Sequence, residues 1–298
     1  MTLTSQIIQY VLSGLVMGGS YAIIALGYTI IYNGTNIINF AQGEFVMLGG
    51  LFMVTLTGKF GLSIFPAFLI AVAATALVGL LVERLAIHPL RNADVMSVII
   101  VTIGMSILLR GIAMLVWGKD AYAAQHFSGD KPIEILGATI LPQSFWVIGI
   151  MILVVVALQV FYRFTITGKA MLACAVNKTA ARLMGVNVEN MLMLSFVLSG
   201  ALGAVAGIII APITLAKYDA GVMLGLKGFC ACILGGLGSG TGAVVGGLLL
   251  GVIESLGAGL ISSGYKDAIA FLILLIALFL RPQGLLPLKE MMMRQESH

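Results

Sequence analysis

Long uncharged apolar runs alternate along this chain with short polar breaks. Residues 5–31 contain no charged side chain. A helix needs about 20 apolar residues to cross a bilayer, and the segments 5–31, 37–57, 62–82, 95–117, 145–163, 191–211 and 265–281 all fall near that length. A glycine-rich stretch, 222–261, is long enough for two crossings or for a re-entrant pair. Backbone groups in hydrocarbon must be satisfied within their own segment, so helix is the predicted state throughout. The expected fold is all-α: one polytopic membrane domain over 1–298, with about eight hydrophobic segments including a broken or re-entrant Gly-rich pair.

Composition agrees with a lipid solvent. The 298 residues are 60% hydrophobic and 9% charged, against roughly 45–50% and 25% in soluble domains. Mean hydropathy is +1.11. The net charge of +4 comes from sixteen Lys and Arg spread between apolar segments. No basic face is formed to displace counterions from phosphate, which excludes a nucleic-acid partner and leaves membrane lipid as the surroundings. The basic residues cluster in three places: Arg84 and Arg91; Arg163, Lys169, Lys178 and Arg182; and Arg281, Lys289 and Arg294. Setting these nine in the cytoplasm puts the N-terminus and the polar loop 117–144 outside and the C-terminus inside. The first segment lacks a positively charged start, so it is expected to be a retained span and not a cleaved leader.

Against this background one stretch is unusual. "NGTNIINFAQGEF", residues 33–45, brings Asn33, Asn36, Asn39, Gln42 and Glu44 between two apolar runs. Asn and Gly end and begin helices well. The stretch predicts a first helix ending near Tyr32 and a new one beginning between Asn36 and Asn39. One reading is a surface turn with ordinary caps. The other is a broken helix whose polar ends face a solute pathway. Glu44, some eight residues into the next segment, favours the second, because a carboxylate facing lipid is costly. Glu254, inside a glycine-lined helix, is the other buried acid, either half of a structural pair or a group near the pathway. Arg110 lies near the end of its span, where it can snorkel.

Glycine numbers 37. Small residues let helices approach in lipid, and Gly14/Gly18, Gly203/Gly207, Gly242/Gly246 and Gly247/Gly251 are each four apart. They serve either packing within the chain or a seam against a second subunit. "GGLGSGTGA", 235–243, is too glycine-rich to hold a helix and predicts a turn.

Catalytic patterns are missing. Lys59, Lys119 and Lys169 follow glycines, but no Ser or Thr completes a P-loop. There is no H-E-x-x-H or G-x-S-x-G. Cys174, Cys230 and Cys232 form no disulfide framework, and His88, His126 and His298 are too scattered to hold a metal. The chain therefore reads as a non-enzyme with no cofactor of its own, and any ATP would be hydrolysed by a partner.

The segment "TGKAMLACAVNKTAARLMGVNVEN", 167–190, predicts amphipathic helix with mixed apolar and basic residues, suited to a surface or to a partner's groove. It resembles the coupling segment of ABC importer permeases, where an Ala-Ala pair and a glycine four residues on dock onto the ATPase. Ala180, Ala181 and Gly185 match that spacing, flanked by Lys169 and Arg182. The blocks 19–50 and 226–256 are similar to those of LivH-type permeases of branched-chain amino-acid importers. Gln42 departs from the His that many relatives carry in "NFAHGE". The resemblance implies a bacterial inner-membrane permease that translocates branched-chain or related amino acids. It also implies a LivM-type second permease, two ATPase subunits and a periplasmic amino-acid-binding protein. The translocation pathway is then expected beside Asn36, Asn39, Gln42 and Glu44. A self-contained channel or secondary transporter is the alternative, but proton- or sodium-coupled carriers hold more mid-membrane ionisable groups than this chain offers.

Overall fold

The computed structural model describes residues 3–90, 93–129, 131–135, 138–281 and 283–286. Arg91, Lys289, Arg294 and His298 lie outside the described residues. Among the described residues there are eleven α-helices: α1 Leu3–Thr35, α2 Gln42–Gly58, α3 Ile64–Val82, α4 Val95–Trp117, α5 Pro142–Phe164, α6 Ile166–Val176, α7 Lys178–Leu183, α8 Val188–Thr214, α9 Ala220–Gly235, α10 Gly240–Leu260 and α11 Lys266–Leu280. A π-helical turn, Glu83–Ile87, and a 3-10 turn, His88–Leu90, prolong α3. A small antiparallel pair, β1 Ile133–Ile135 and β2 Ala138–Ile140, sits in the polar loop before α5. Gln9 of α1 holds it, donating to the Thr139 carbonyl and accepting its N–H.

Among the described residues, seven helical segments are long and apolar enough to cross a membrane. The expected apolar segments are helical, and two of these helices fall short of that length, α2 with 17 residues and α9 with 16. At 1.5 Å per residue these reach about 24–26 Å, short of a hydrocarbon core of about 30 Å. Both are packed inside protein, where a short helix costs little. The stretch 222–261 thus resolves into one short and one full-length helix. Its turn stands beside the last turn of α1, where Asn33 Nδ2 donates to the Gly238 carbonyl at 3.0 Å.

Helices α1 and α8 form the centre, with α2, α9 and α10 against them. From Gly18 to Ile31 every residue of α1 is buried. Around this core, α3, α4, α5 and α11 turn large apolar side chains outward, among them Phe65, Ile100, Leu115, Leu153 and Phe279. Such a continuous apolar surface belongs in lipid or against another apolar chain. The four glycine pairs pack within the chain. A Cβ on Gly18 would stand 2.8 Å from the Gly247 carbonyl oxygen, and one on Gly207 1.9 Å from that of Val46. Only glycine lets α1 meet α10, and α8 meet α2, at that distance. Cys230 and Cys232 are free and buried, filling space as small side chains.

Candidate functional site: the α1–α2 break and the basic helix pair

The break is built by two asparagines and a threonine. α1 continues to Thr35, three residues beyond the expected end, and stops at Asn36, whose φ of 60° is left-handed. Asn tolerates that conformation better than most side chains, and a left-handed residue is a common helix terminator. The Thr35 hydroxyl bridges the joint, donating to the Ile31 carbonyl at 2.7 Å and accepting the Ile37 N–H at 3.0 Å. Asn39 Oδ1 then accepts the Ala41 N–H at 3.1 Å. This local turn competes with helix and delays α2 until Gln42, later than the sequence suggested.

The five polar side chains divide by task. Asn33 pins the turn between α9 and α10. Asn36 is exposed at the break. Gln42 is fully buried and bound at both ends of its amide: Nε2 donates to the Ser199 carbonyl, and the Ser199 hydroxyl meets Oε1 while also reaching the Gly27 carbonyl. It clamps α1, α2 and α8 together. Gly27 lies eight residues before Thr35, so α2 begins about 12 Å in from the end of α1. Asn39 and Glu44 are each 1% exposed. Glu44 Oε1 accepts from Ser106 on α4 at 2.8 Å, with Arg110 one turn further along that helix. Among the described residues Glu44 Oε2 and Asn39 Nδ2 have no hydrogen-bond partner. A buried acceptor left open is the feature of this site that packing does not explain.

α6 and α7 form a separate surface at the same end of the bundle. The Thr165 side chain caps α6 by accepting the Gly168 N–H, and Asn177 caps α7 by accepting two N–H groups at 3.0 Å. Gly185, with φ of 85°, ends α7 in the left-handed conformation its position requires. Ala181 is buried with Cys174 and Val188, whereas Lys169, Ala180, Arg182 and Gly185 are exposed. The tip also projects Leu183 and Met184, 84% and 85% exposed. Bare apolar side chains among cations suit a protein partner, and their place just beyond the Ala-Ala pair and Arg182 was the available signal. Lys178 was missed as well. It leaves this surface and donates to the Thr35 carbonyl at 3.0 Å. Burial lowers its ammonium's pKa from the ordinary value, while burial pushes the neighbouring Cys174 thiol up, partly offset by Lys178.

Glu254 belongs elsewhere. Its Oε1 is met by Lys227 Nζ at 2.9 Å, Lys266 Nζ at 3.2 Å and the Tyr21 hydroxyl at 3.3 Å, and Lys227 also pairs with Asp267 at 2.6 Å. This buried charge cluster ties α1, α9, α10 and α11, about four turns along α1 from Thr35. Among the described residues no group of three His, Cys, Asp or Glu could hold a metal.

The break with its buried Glu44 and the basic surface of α6 and α7 are joined through the Lys178–Thr35 hydrogen bond. Residues 10–278 match the family model described as branched-chain amino acid transport system / permease component. The chain is 34% identical over 94% of its length to the high-affinity branched-chain amino acid transport system permease protein LivH of Salmonella typhimurium, covering 95% of that protein. It is equally similar to BraD of Pseudomonas aeruginosa, at 34% over the same shares. A probable LivH of Methanocaldococcus jannaschii is 30% identical over 88% of this chain and 87% of its own. With the break and the basic pair both inside the matched span, the chain belongs to the family of branched-chain amino acid transport permease components.

Proposed function

We propose that this chain is one of two membrane subunits of an ATP-driven importer for branched-chain amino acids. The full machine pairs it with a LivM-type permease, two ATPase subunits and a periplasmic amino-acid-binding protein. The end carrying α6 and α7 faces the cytoplasm, the N-terminus lies outside and the C-terminus inside, in the inner membrane. Lys169, Ala180, Ala181, Arg182 and Gly185 form or shape the ATPase-docking surface, with Leu183 and Met184 as its apolar contacts. The pathway runs beside the break, past Asn36 and the Glu44–Ser106 pair, while Asn39 and Gln42 hold its walls in register. The chain supplies a path and a lever and needs no tight pocket, because tight binding midway slows release. ATP is used by the partners, and this chain binds no cofactor.

The observation that carries this reading is the exposed Arg182–Leu183–Met184 tip on a chain 34% identical, nearly end to end, to permeases named for branched-chain amino acids. The test is Leu183→Asp with Met184→Asp in the native membrane. The expected result is loss of the ATPase subunits on purification and loss of leucine uptake. The variant chain's own unfolding should shift by less than about 0.5 kcal/mol, as surface changes do. Retained uptake with the double substitution refutes the docking assignment. Uptake by the chain reconstituted alone would favour a self-contained carrier.

A further inference from the structure

The last carbonyls of any helix lack partners within it. At the end of α1 one of them, that of Thr35, is met by the ammonium of Lys178, the first residue of α7. A cation at that negative helix end is electrostatically favoured. The contact falls at a sensitive place, since Thr35 immediately precedes left-handed Asn36 and its hydroxyl touches both sides of the joint. By contrast α7 meets the rest of its support through apolar packing around Ala181, Cys174 and Val188. Apolar packing slides and tolerates small shifts, whereas a hydrogen bond from an ammonium is either made or lost.

Beside the contact lies a cavity of about 110 Å³, lined by Thr35, Ile37, Glu83, Lys178, Glu189 and Leu192 among others. Lys178 therefore has room to move without displacing a helix. Glu83, in the π-helical turn, also lines the cavity; it is 4% exposed, and its Oε2 has no partner among the described residues.

We propose that Lys178 is the positioning residue that carries movement of the α6–α7 pair to the α1–α2 break, holding the Thr35 carbonyl in one state and releasing it in the other. The inference rests on α6–α7 being the surface that the ATPase moves.

The test uses the whole complex, with its ATPases and binding protein, in proteoliposomes. K178M keeps the unbranched stem, one atom shorter, and removes the donor, and K178R keeps a donor. With K178M the ATPase subunits co-purify in ordinary amount and hydrolysis still responds to the loaded binding protein, but leucine taken up per ATP falls about tenfold or more, the scale of coupling between sites. K178R retains most of the uptake. Hydrogen exchange supplies a readout that a merely structural role would not move. In the unmutated complex, exchange over residues 33–41 differs between the nucleotide-free and ATP-trapped states; in K178M that difference disappears while α7 still responds. Unchanged uptake per ATP in K178M, or residues 33–41 indifferent to nucleotide in the unmutated complex, overturns the proposal. So does loss of the ATPase from K178M alone, which would make Lys178 a docking contact. An unmutated complex without any ATPase overturns the docking reading first, a result distinct from a complex that hydrolyses ATP but is not tethered.

Discussion

Replacing Gly247 by alanine isolates the energetic worth of the α1–α10 seam. The added Cβ would lie 2.5 Å from the Ala22 nitrogen and 2.6 Å from the Ala22 Cα. Both are backbone atoms inside a helix, so no side-chain rotation relieves them. Carbon atoms settle at about 3.5–4.0 Å, so α1 and α10 must part by about 1 Å. Gly14, Gly18 and Gly251 interlock along the same line, and the separation spreads to their contacts. Overpacking of this kind costs about 1–3 kcal/mol. Alanine also gains about 1 kcal/mol of helix propensity over glycine, which would blur the result in a single variant. Gly149→Ala on α5 supplies the correction, because a Cβ there meets nothing within 4 Å. The propensity gain is common to both variants and cancels in their difference, which leaves the steric cost. Unfolding of the purified chain in mixed micelles, titrated with a denaturing detergent, should therefore place the Gly247→Ala variant about 1–3 kcal/mol below the Gly149→Ala variant. Equal stability of the two would refute the close-approach argument for the seam.

Two further predictions concern charge and titration. Lys227→Met removes the nearer of two cations from Glu254, a carboxylate that is 1% exposed, and leaves Lys266 at 3.2 Å; a loss of about 1–3 kcal/mol is expected in the same unfolding assay, and Lys227→Met combined with Glu254→Leu should recover part of it, since apolar replacement of a whole buried pair is often neutral. Cys174, with its thiol's pKa pushed up by burial, should react with maleimide at neutral pH far more slowly than a cysteine placed at exposed Thr179. The sign for stability follows: the folded chain keeps that proton where the unfolded chain releases it, so the contribution is complete below about pH 8.5 and declines as pH rises beyond it. A Cys174→Ser variant with the same pH dependence of unfolding would remove the thiol from the account.

Much of the architecture was legible in the apolar runs, because a helix in lipid advertises itself by length. The boundaries at 33–45 were less so. Periodicity ends the first helix where polarity begins, at Tyr32, yet Thr35 hydrogen-bonds its own preceding turn and carries the helix three residues on. Gln42 and Glu44 look alike in sequence, two polar groups at the head of an apolar helix. One proves to be a satisfied clamp and the other retains an open oxygen. That distinction depends on Ser199 and Ser106, more than sixty residues away, and no local pattern encodes it. The same holds for the glycine pairs, whose spacing permits a seam inside the chain or between chains until the facing helix is known. Lys178 read as one more solvated cation of an amphipathic helix, since nothing nearby announces that its reach ends on Thr35.

The seam between α1 and α10 also sets a schedule for biogenesis. Gly18 meets Gly247, and the Gln42 clamp closes on Ser199, so the helix made first finds its principal neighbours near the end of synthesis. At ordinary rates of translation the two sides of the seam enter the membrane roughly 10–50 s apart. During that interval α1 presents a glycine-lined face, while Glu44 gains Ser106 and later Gln42 gains Ser199. A helix in that condition has reason to stay beside the insertion machinery or borrow a temporary neighbour.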